Sequence, residues 1–211
     1  MTKQVEGLRW HDPISVVGAP SRSECYGVVA PPRSWGRGIR NAAHCTPSTA
    51  YYMPVVLYRI DERLIHGQVV MGWGPELGVE HYVVVDDELA TSEWEQDLYR
   101  LGLPDATTAD FLSVRDARAR LTDLDADSRR TVVLTRTVAA MGGLAEADAL
   151  RGREVNLGGL HHAAGRTERI PYVYLGPADE EGLQALVAEG VEVSARDLPG
   201  SRAVDLEALL G

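Results

Sequence analysis

The chain has 211 residues, of which 45% are apolar and 25% charged, enough for one globular domain with a real core. No apolar run approaches the roughly 18 residues of a membrane-spanning helix, and Met1-Thr2-Lys3-Gln4 lacks the basic-then-apolar build of a secretory signal, so a cytosolic protein is expected. A formal charge of −10 argues against the positive face of a nucleic-acid binder, and Cys25 and Cys45, outside any CxxC spacing, give neither a metal nor a redox motif.

The charge is unevenly spread. Residues 1–52 hold six Lys/Arg against three Asp/Glu, a charge of +3 that leaves −13 for residues 53–211. Gly, Pro, Ser and Arg dominate Gly18 to Arg40, and no helical or alternating apolar period persists there. This composition predicts a disordered N-terminal extension over 1–52 and a folded domain over 53–211. Met53 stands directly before the first strand, so a translation start at Met53 is a second reading.

From Met53 onward, short β-rich runs alternate with amphipathic stretches, the pattern of an α/β fold with an open, mostly parallel sheet and helices on both faces. Val55 to Tyr58 is the first predicted strand. Leu64, Ile65, Val69, Val70 and Trp73 then suit a helix packed on the sheet and beginning near His66, although Gly72 and Gly74 weaken it. His81 to Val85 is the second strand, and Glu88 to Gly102 brings Leu89, Trp94, Leu98 and Leu101 near one helical face. A weaker strand over Thr107 to Leu112 leads into a helix capped by Ser113.

Thr131 to Thr135 is short and rich in β-branched residues, as a buried strand should be. A helix over Val138 to Leu150 follows, then strands at Glu154 to Leu157 and Ile170 to Leu175. Pro171 has no amide donor and marks the latter as an edge or a strand start. A helix from Pro177 to Glu189 stops at Gly190, in the usual order of proline early and glycine late. Val191 to Val193 and a short helix over Asp205 to Leu210 close the chain, giving seven strands in all.

Ligands of such sheets bind in the crevice beyond the carboxyl ends of the strands. The loop Asp61 to His66 leaves the first strand at that end and sets one histidine among Arg59, Arg63, Asp61 and Glu62. A neutral imidazole is a good nucleophile. Once phosphorylated it would carry about −1.5 to −2 charges, by analogy with other phosphorylated side chains, which nearby cations must balance. Arg63 and Arg59 are the candidates, with Arg63 alternatively pairing with Asp61 or Glu62 at the surface. Asp61 is read either as a helix N-cap or as the group that orients the His66 ring or fixes an arginine.

His161-His162 beside Gly158-Gly159 does not make a metal site, since adjacent histidines project in different directions and lack an i,i+4 partner. The two glycines suit a turn whose backbone lies close to the crevice. Thr135 and Thr137 have hydroxyls to offer the pocket or their own backbone.

The run Tyr58-Arg59-Ile60-Asp61-Glu62-Arg63-Leu64-Ile65-His66-Gly67-Gln68-Val69-Val70, followed by Trp73, resembles the phosphorylation-site segment of the enzyme IIB component of the mannose/fructose/sorbose class of the bacterial phosphoenolpyruvate-dependent sugar phosphotransferase system (PTS). The likeness continues through Val85-Asp86-Asp87-Glu88-Leu89-Ala90, Asn156-Leu157-Gly158-Gly159 and Gly190-Val191-Glu192-Val193, covering about residues 54–211.

The resemblance implies a histidine, His66, that accepts a phosphoryl group from phosphorylated enzyme IIA and passes it to a sugar held by the membrane components IIC and IID. It implies Arg63 and Arg59 as contacts of that group, with Asp61, Gly67 and Gln68 in support, and neither a metal nor a cofactor. The protein would then work in the cytoplasm, at the inner face of the membrane through the permease components. Glu62 departs from the aspartate more usual in that family but keeps the charge. Two alternatives stand beside this reading. One is a regulatory phosphoacceptor not coupled to transport. The other is a nucleotide- or metabolite-binding domain, against which counts the lack of a GxGxxG or GxxxxGK[ST] element after the first strand.

Overall fold

A strand built almost wholly of apolar and β-branched residues has no face to give to water, and the second and fourth strands of this chain are buried along their whole length, His81 at the start of the second included. In the computed structural model, which describes residues 54–211, nine strands form. They are β1 (Val55–Ile60), β2 (His81–Val85), β3 (Thr108–Leu112), β4 (Thr131–Thr135), β5 (Glu154–Leu157), β6 (Thr167–Ile170), β7 (Val173–Leu175), β8 (Glu192–Ala195) and β9 (Val204–Asp205). The expectations for residues 1–52 and Met53 lie outside the described residues.

Seven of the strands make one sheet in the order β3-β2-β4-β1-β5-β8-β9, with β1 at its centre. All its pairs are parallel except β8 with β9. The chain leaves β1 toward the β2 side and leaves β5 toward the β8 side. The β1–β5 crevice is therefore the switch point of the sheet, the place where such folds bind ligands.

Alternation along the strands divides the core in two. Tyr58, Ile60, Val83, Val85, Val133, Val155 and Leu157 face one side, and Tyr82, Val84, Val132 and Leu134 the other. The first side is covered by α3 (Val114–Ala119), α4 (Leu121–Ala126), α5 (Val138–Ala145), α6 (Pro177–Ala188) and α7 (Leu206–Leu210), through residues such as Leu124, Met141, Leu183 and Leu209. The second is thinner. Leu64, Ile65, Val69, Val70 and Leu89 cover it, together with the ring of Tyr99 from α2 (Glu93–Leu101).

Several elements differ from the sequence expectation. Ile170 to Leu175 is not one strand of the sheet. Pro171 and Tyr172 form a turn between β6 and β7, an antiparallel pair of its own. The seventh strand of the sheet is instead β9, whose two residues are too short to leave a periodic signal. The segment after His66 is π-helical over Gln68–Trp73 before α1 (Gly74–Leu77), and the stretch from Glu88 breaks at Ser92 into a 3₁₀ turn, Leu89–Thr91, and α2. Of the stripe on that stretch only Leu89 is buried, while Trp94, Leu98 and Leu101 face outward. The helix from Val138 ends at Ala145 rather than Leu150, with Ala147 and Asp148 at positive φ beyond it. Ser113 caps α3 as expected, its Oγ accepting from the Asp116 amide at 3.1 Å.

Candidate functional site at the carboxyl edge of β1

Beyond Ile60 the backbone of β1 stays pinned between its neighbours. The Asp61 amide donates to the Thr135 carbonyl (2.9 Å), the Gly158 amide to the Ile60 carbonyl (2.7 Å) and the Glu62 amide to the Gly159 carbonyl (2.9 Å). The loop then turns through Leu64 at φ 52, a left-handed conformation that costs a non-glycine residue about 1–2 kcal/mol. Two things hold it there. Its side chain is fully buried, and its amide donates to the Asp61 carbonyl at 3.0 Å. The turn points the Leu64 carbonyl at the ring of His66.

Asp61 is the centre of the cluster and has no exposure to solvent. Its Oδ2 accepts from Arg59 Nη2 (2.8 Å) and the Gly159 amide (3.1 Å), and its Oδ1 from the Arg63 amide (3.1 Å) and Arg63 Nε (3.4 Å). Burial alone would raise the Asp61 pKa. The Arg59 guanidinium, the Gly159 amide and His66 overcome it and hold the carboxyl below its ordinary value. Asp61 therefore anchors arginines and its own turn, and is not a helix N-cap; the π-helical segment is preceded by Gly67.

Arg59 lies behind Asp61, fully buried. Its Nη1 donates to Asn156 Oδ1 and to the Arg196 carbonyl (2.9 Å), its Nη2 to Asp61 and, at 3.5 Å, to the Asp197 carbonyl. The guanidinium sits 5.5 Å from the ring centroid of Trp73, whose indole also donates to the Asp197 carbonyl (3.0 Å). Both terminal amines are thus committed to the scaffold. Burial pulls the Arg59 pKa down, and the Asp61 carboxylate pulls it back up.

Arg63 is placed differently, with 38% of its side chain exposed at the mouth of the crevice. Its Nη2 donates to Gln68 Oε1 at 2.6 Å. The same oxygen lies 3.4 Å from His66 Nε2, and Asp61 Oδ2 lies 3.9 Å from that nitrogen. His66 Nδ1 is 2.9 Å from the Leu64 carbonyl, which can only accept, so that contact places a proton on Nδ1. The ring is 15% exposed. Gly67, next to it, leaves open space where a side chain would stand.

Glu62 turns away from this cluster. It accepts from the Arg166 guanidinium and from the amide and Nδ1 of His161, both at 2.9 Å. Burial would raise its pKa, but Arg166 and His161 hold it below the ordinary value. Arg166 Nε continues to Asp179 Oδ2 (3.0 Å) in the first turn of α6. His162 makes an edge contact with Tyr174, ring centroids 5.7 Å apart. Thr135 and Thr137 serve their own backbone: Thr135 Oγ1 donates to the Thr137 carbonyl, and Thr137 caps α5.

The structure thus gathers His66, Arg63, Asp61, Gln68 and Arg59 within one loop and its strand, as the sequence motif suggests. Sequence reasoning missed the partners at a distance, namely Asn156, Arg166 and the carbonyls of Arg196 and Asp197. The Gly158-Gly159 turn lies against the cluster, as its reading anticipated. A Cβ on Gly158 would stand 2.5 Å from Asp61 Oδ2, closer than any carbon can lie, and one on Gly159 would press on Arg63 Nη2 at 3.0 Å, so the turn keeps its backbone against the cluster.

Residues 55–211 match the family described as PTS system sorbose subfamily IIB component. The chain is 30% identical over 156 residues to the N-acetylgalactosamine-specific phosphotransferase enzyme IIB component 2 of Escherichia coli (strain K12), covering 74% of this chain and 98% of that protein. It is 30% identical over 145 residues to the PTS system mannose-specific EIIAB component of the same organism, covering 69% of this chain and 45% of that protein. Among solved structures, the PTS system N-acetylgalactosamine-specific IIB component 1 from Escherichia coli superposes with a TM-score of 0.66 at 27% identity, covering 71% of this chain and 97% of the other.

Proposed function

The chain belongs to the sorbose subfamily of PTS IIB components, and from that premise we propose that His66 is its phosphoryl acceptor. Phosphorylated enzyme IIA supplies the group, and His66 passes it to a sugar held by the membrane components IIC and IID. In the first step the N–P bond of the donor phosphohistidine breaks while a ring nitrogen of His66 forms the new one. The donor imidazole leaves with the electron pair of the broken bond. The mannose-specific relative is an EIIAB component, which supports a IIA protein as the donor.

The observation that carries this reading is the oxygen shared by Arg63 and His66. Gln68 Oε1 stands 2.6 Å from Arg63 Nη2 and 3.4 Å from His66 Nε2. A phosphoryl oxygen in its place would bind the guanidinium while its phosphorus neighbours the imidazole. Arg63 then stabilises charge on the group in flight, an electrostatic role that needs no covalent chemistry from the arginine. Gln68 is the group displaced, and swings its amide aside.

Asp61 and Arg59 are positioning residues in this scheme. Asp61 holds the Arg63 backbone and side chain, and Arg59 holds Asp61. Whichever ring nitrogen attacks must first leave the oxygen it faces, the Leu64 carbonyl on one side or Gln68 on the other. Among the described residues no helix is long and apolar enough to cross a membrane. The proposed place of work is the cytoplasm, at the inner face where the sugar-holding components stand.

The test is incubation with phosphorylated enzyme IIA, followed by detection of acid-labile label. His66→Ala should carry none, although His11, His44, His81, His161 and His162 remain. Retained label in that variant would overturn the assignment.

A further inference from the structure

Among the described residues the large apolar side chains left in water are few, and half of them lie on α2. Trp94 is 66% exposed, Leu98 58% and Leu101 82%. Their spacing of i, i+4 and i+7 puts them in one stripe. No residue of α2 is fully buried, and its inward hold is Tyr99, whose ring lies 6.1 Å from that of Phe111. The helix therefore has a second apolar face, which the fold does not use.

That face borders a groove of about 460 Å³ lined by Ile65, Trp94, Leu98, Tyr99 and Arg136. The groove starts at the functional site. Ile65 immediately precedes His66, and Arg136 immediately follows β4, the strand paired with β1. Arg136 is itself fixed by Asp86 at 2.6 Å, so this wall of the groove is set in advance.

We propose that the outward face of α2, with the groove beside it, is the docking surface for the protein that phosphorylates His66. The proposal rests on the reading of His66 as acceptor. The ring of His66 is 15% exposed, so a protein donor that reaches it in line has to close over the carboxyl edge of the sheet. This groove is apolar ground beside that edge, lined by the residue next to His66. The partner it fits is a globular protein with apolar surface beside its phosphohistidine, and Trp94 is the residue type that most often anchors such contacts. Apolar patches of this kind on otherwise soluble domains mark interaction sites.

Trp94→Ala and Leu98→Glu test this. Both positions are exposed, so thermal midpoints should stay near that of the unaltered protein, surface changes being worth about ±0.5 kcal/mol. The second-order rate constant for phosphorylation by phosphorylated enzyme IIA should fall about 10–100-fold, as loss of a binding anchor does, through a raised KM with the rate at saturating donor retained. Labelling of His66 by phosphoramidate, a small donor that needs no docking, should be unchanged.

Wild-type rates with phosphorylated enzyme IIA would overturn the proposal. If they came with weakened self-association in sedimentation, the face would belong to a second copy of the chain. If they came with a loss only of transfer to sugar in membranes carrying IIC and IID, it would belong to the permease. Absence of label on His66 of the unaltered protein with both donors would instead overturn the acceptor reading, and this proposal with it.

Discussion

Gly158 is the position at which one added methyl group should do the most damage. A Cβ built there would stand 2.5 Å from Asp61 Oδ2 and from Arg59 Cζ, and closer still to Arg59 Nη2. Carbon does not approach polar atoms so closely, and neither neighbour has room to retreat, since both are fully buried. Overpacking alone costs about 1–3 kcal/mol. Forcing the Arg59–Asp61 pair apart would strand two buried charges, for which the loss reaches about 3–5 kcal/mol. At about 2–4 °C per kcal/mol for a domain of this size, a loss between these limits, about 2–5 kcal/mol as the pair is strained rather than fully broken, should lower the midpoint of Gly158→Ala by about 4–20 °C. The same variant should take up phosphoryl groups more slowly, because Asp61 can no longer hold Arg63 in place. Thermal unfolding followed by circular dichroism, with Gly142→Ala as the comparison, reads the effect. A Cβ on Gly142, within α5, meets nothing within 4 Å, and alanine in a helix interior gains about 0.5–1 kcal/mol. A Gly158→Ala protein that melts within about 1 °C of the unaltered chain would refute the argument that the β5 turn exists to let backbone meet the ion pair.

The two arginines should separate by assay. Arg63→Ala should slow phosphorylation by about 10²–10³-fold, as loss of an electrostatic donor does, with a stability change below about 1 kcal/mol because its ion pair is half-exposed. Arg59→Ala should instead lose about 3–5 kcal/mol in urea unfolding, since it leaves the Asp61 carboxylate buried without its cation. Acid should weaken the fold through Asp61. Its folded-state pKa is depressed, so its contribution is complete above the unfolded value near 3.9, and is lost as pH falls through the lower folded value. Asp61→Asn should lack that component, and an unchanged pH slope in the variant below about pH 4 would count against it. Finally, a chain beginning at Met53 should keep its thermal midpoint within about 4 °C, because the matched family spans 55–211 and residues 54–211 already cover both faces of the sheet; a larger drop would make residues 1–52 part of the fold.

What could be read from the sequence follows from how each element is buried. β2 and β4 are buried at every position and apolar but for His81, Thr131 and Thr135 at their ends, because helices or loops cover both sides of the sheet, so they stand out in the sequence without any alternation. α2 gave a clear stripe, but periodicity shows only that an apolar face exists. It cannot show which way the face turns, and here Tyr99 packs inward while Trp94, Leu98 and Leu101 point out. The strand expected over Ile170 to Leu175 had the right composition. It failed because a turn at Pro171 and Tyr172 folds it back on β6 before it can reach the sheet.

The site shows the same division. The residues close in sequence were legible, since Asp61, Arg63, His66 and Gln68 need no knowledge of the fold to be neighbours. The different stations of Arg59 and Arg63 were not read, although a signal for them was present. Arg59 lies between Tyr58 and Ile60, whose side chains enter the thicker core, so by alternation it must point to the opposite face. A charged residue there, in the central strand of a covered sheet, has to be buried and must find its partners from elsewhere in the chain. Those partners, Asn156 and the carbonyls of Arg196 and Asp197, lie 97 to 138 residues away, and only the topology brings β5 and β8 to that side of β1. The arginine inside the strand is therefore spent on holding the carboxylate, and the arginine beyond its end keeps a free edge for a ligand. In the proposed scheme, one residue's place relative to the end of a strand decides which of two identical side chains is left to meet a phosphoryl group.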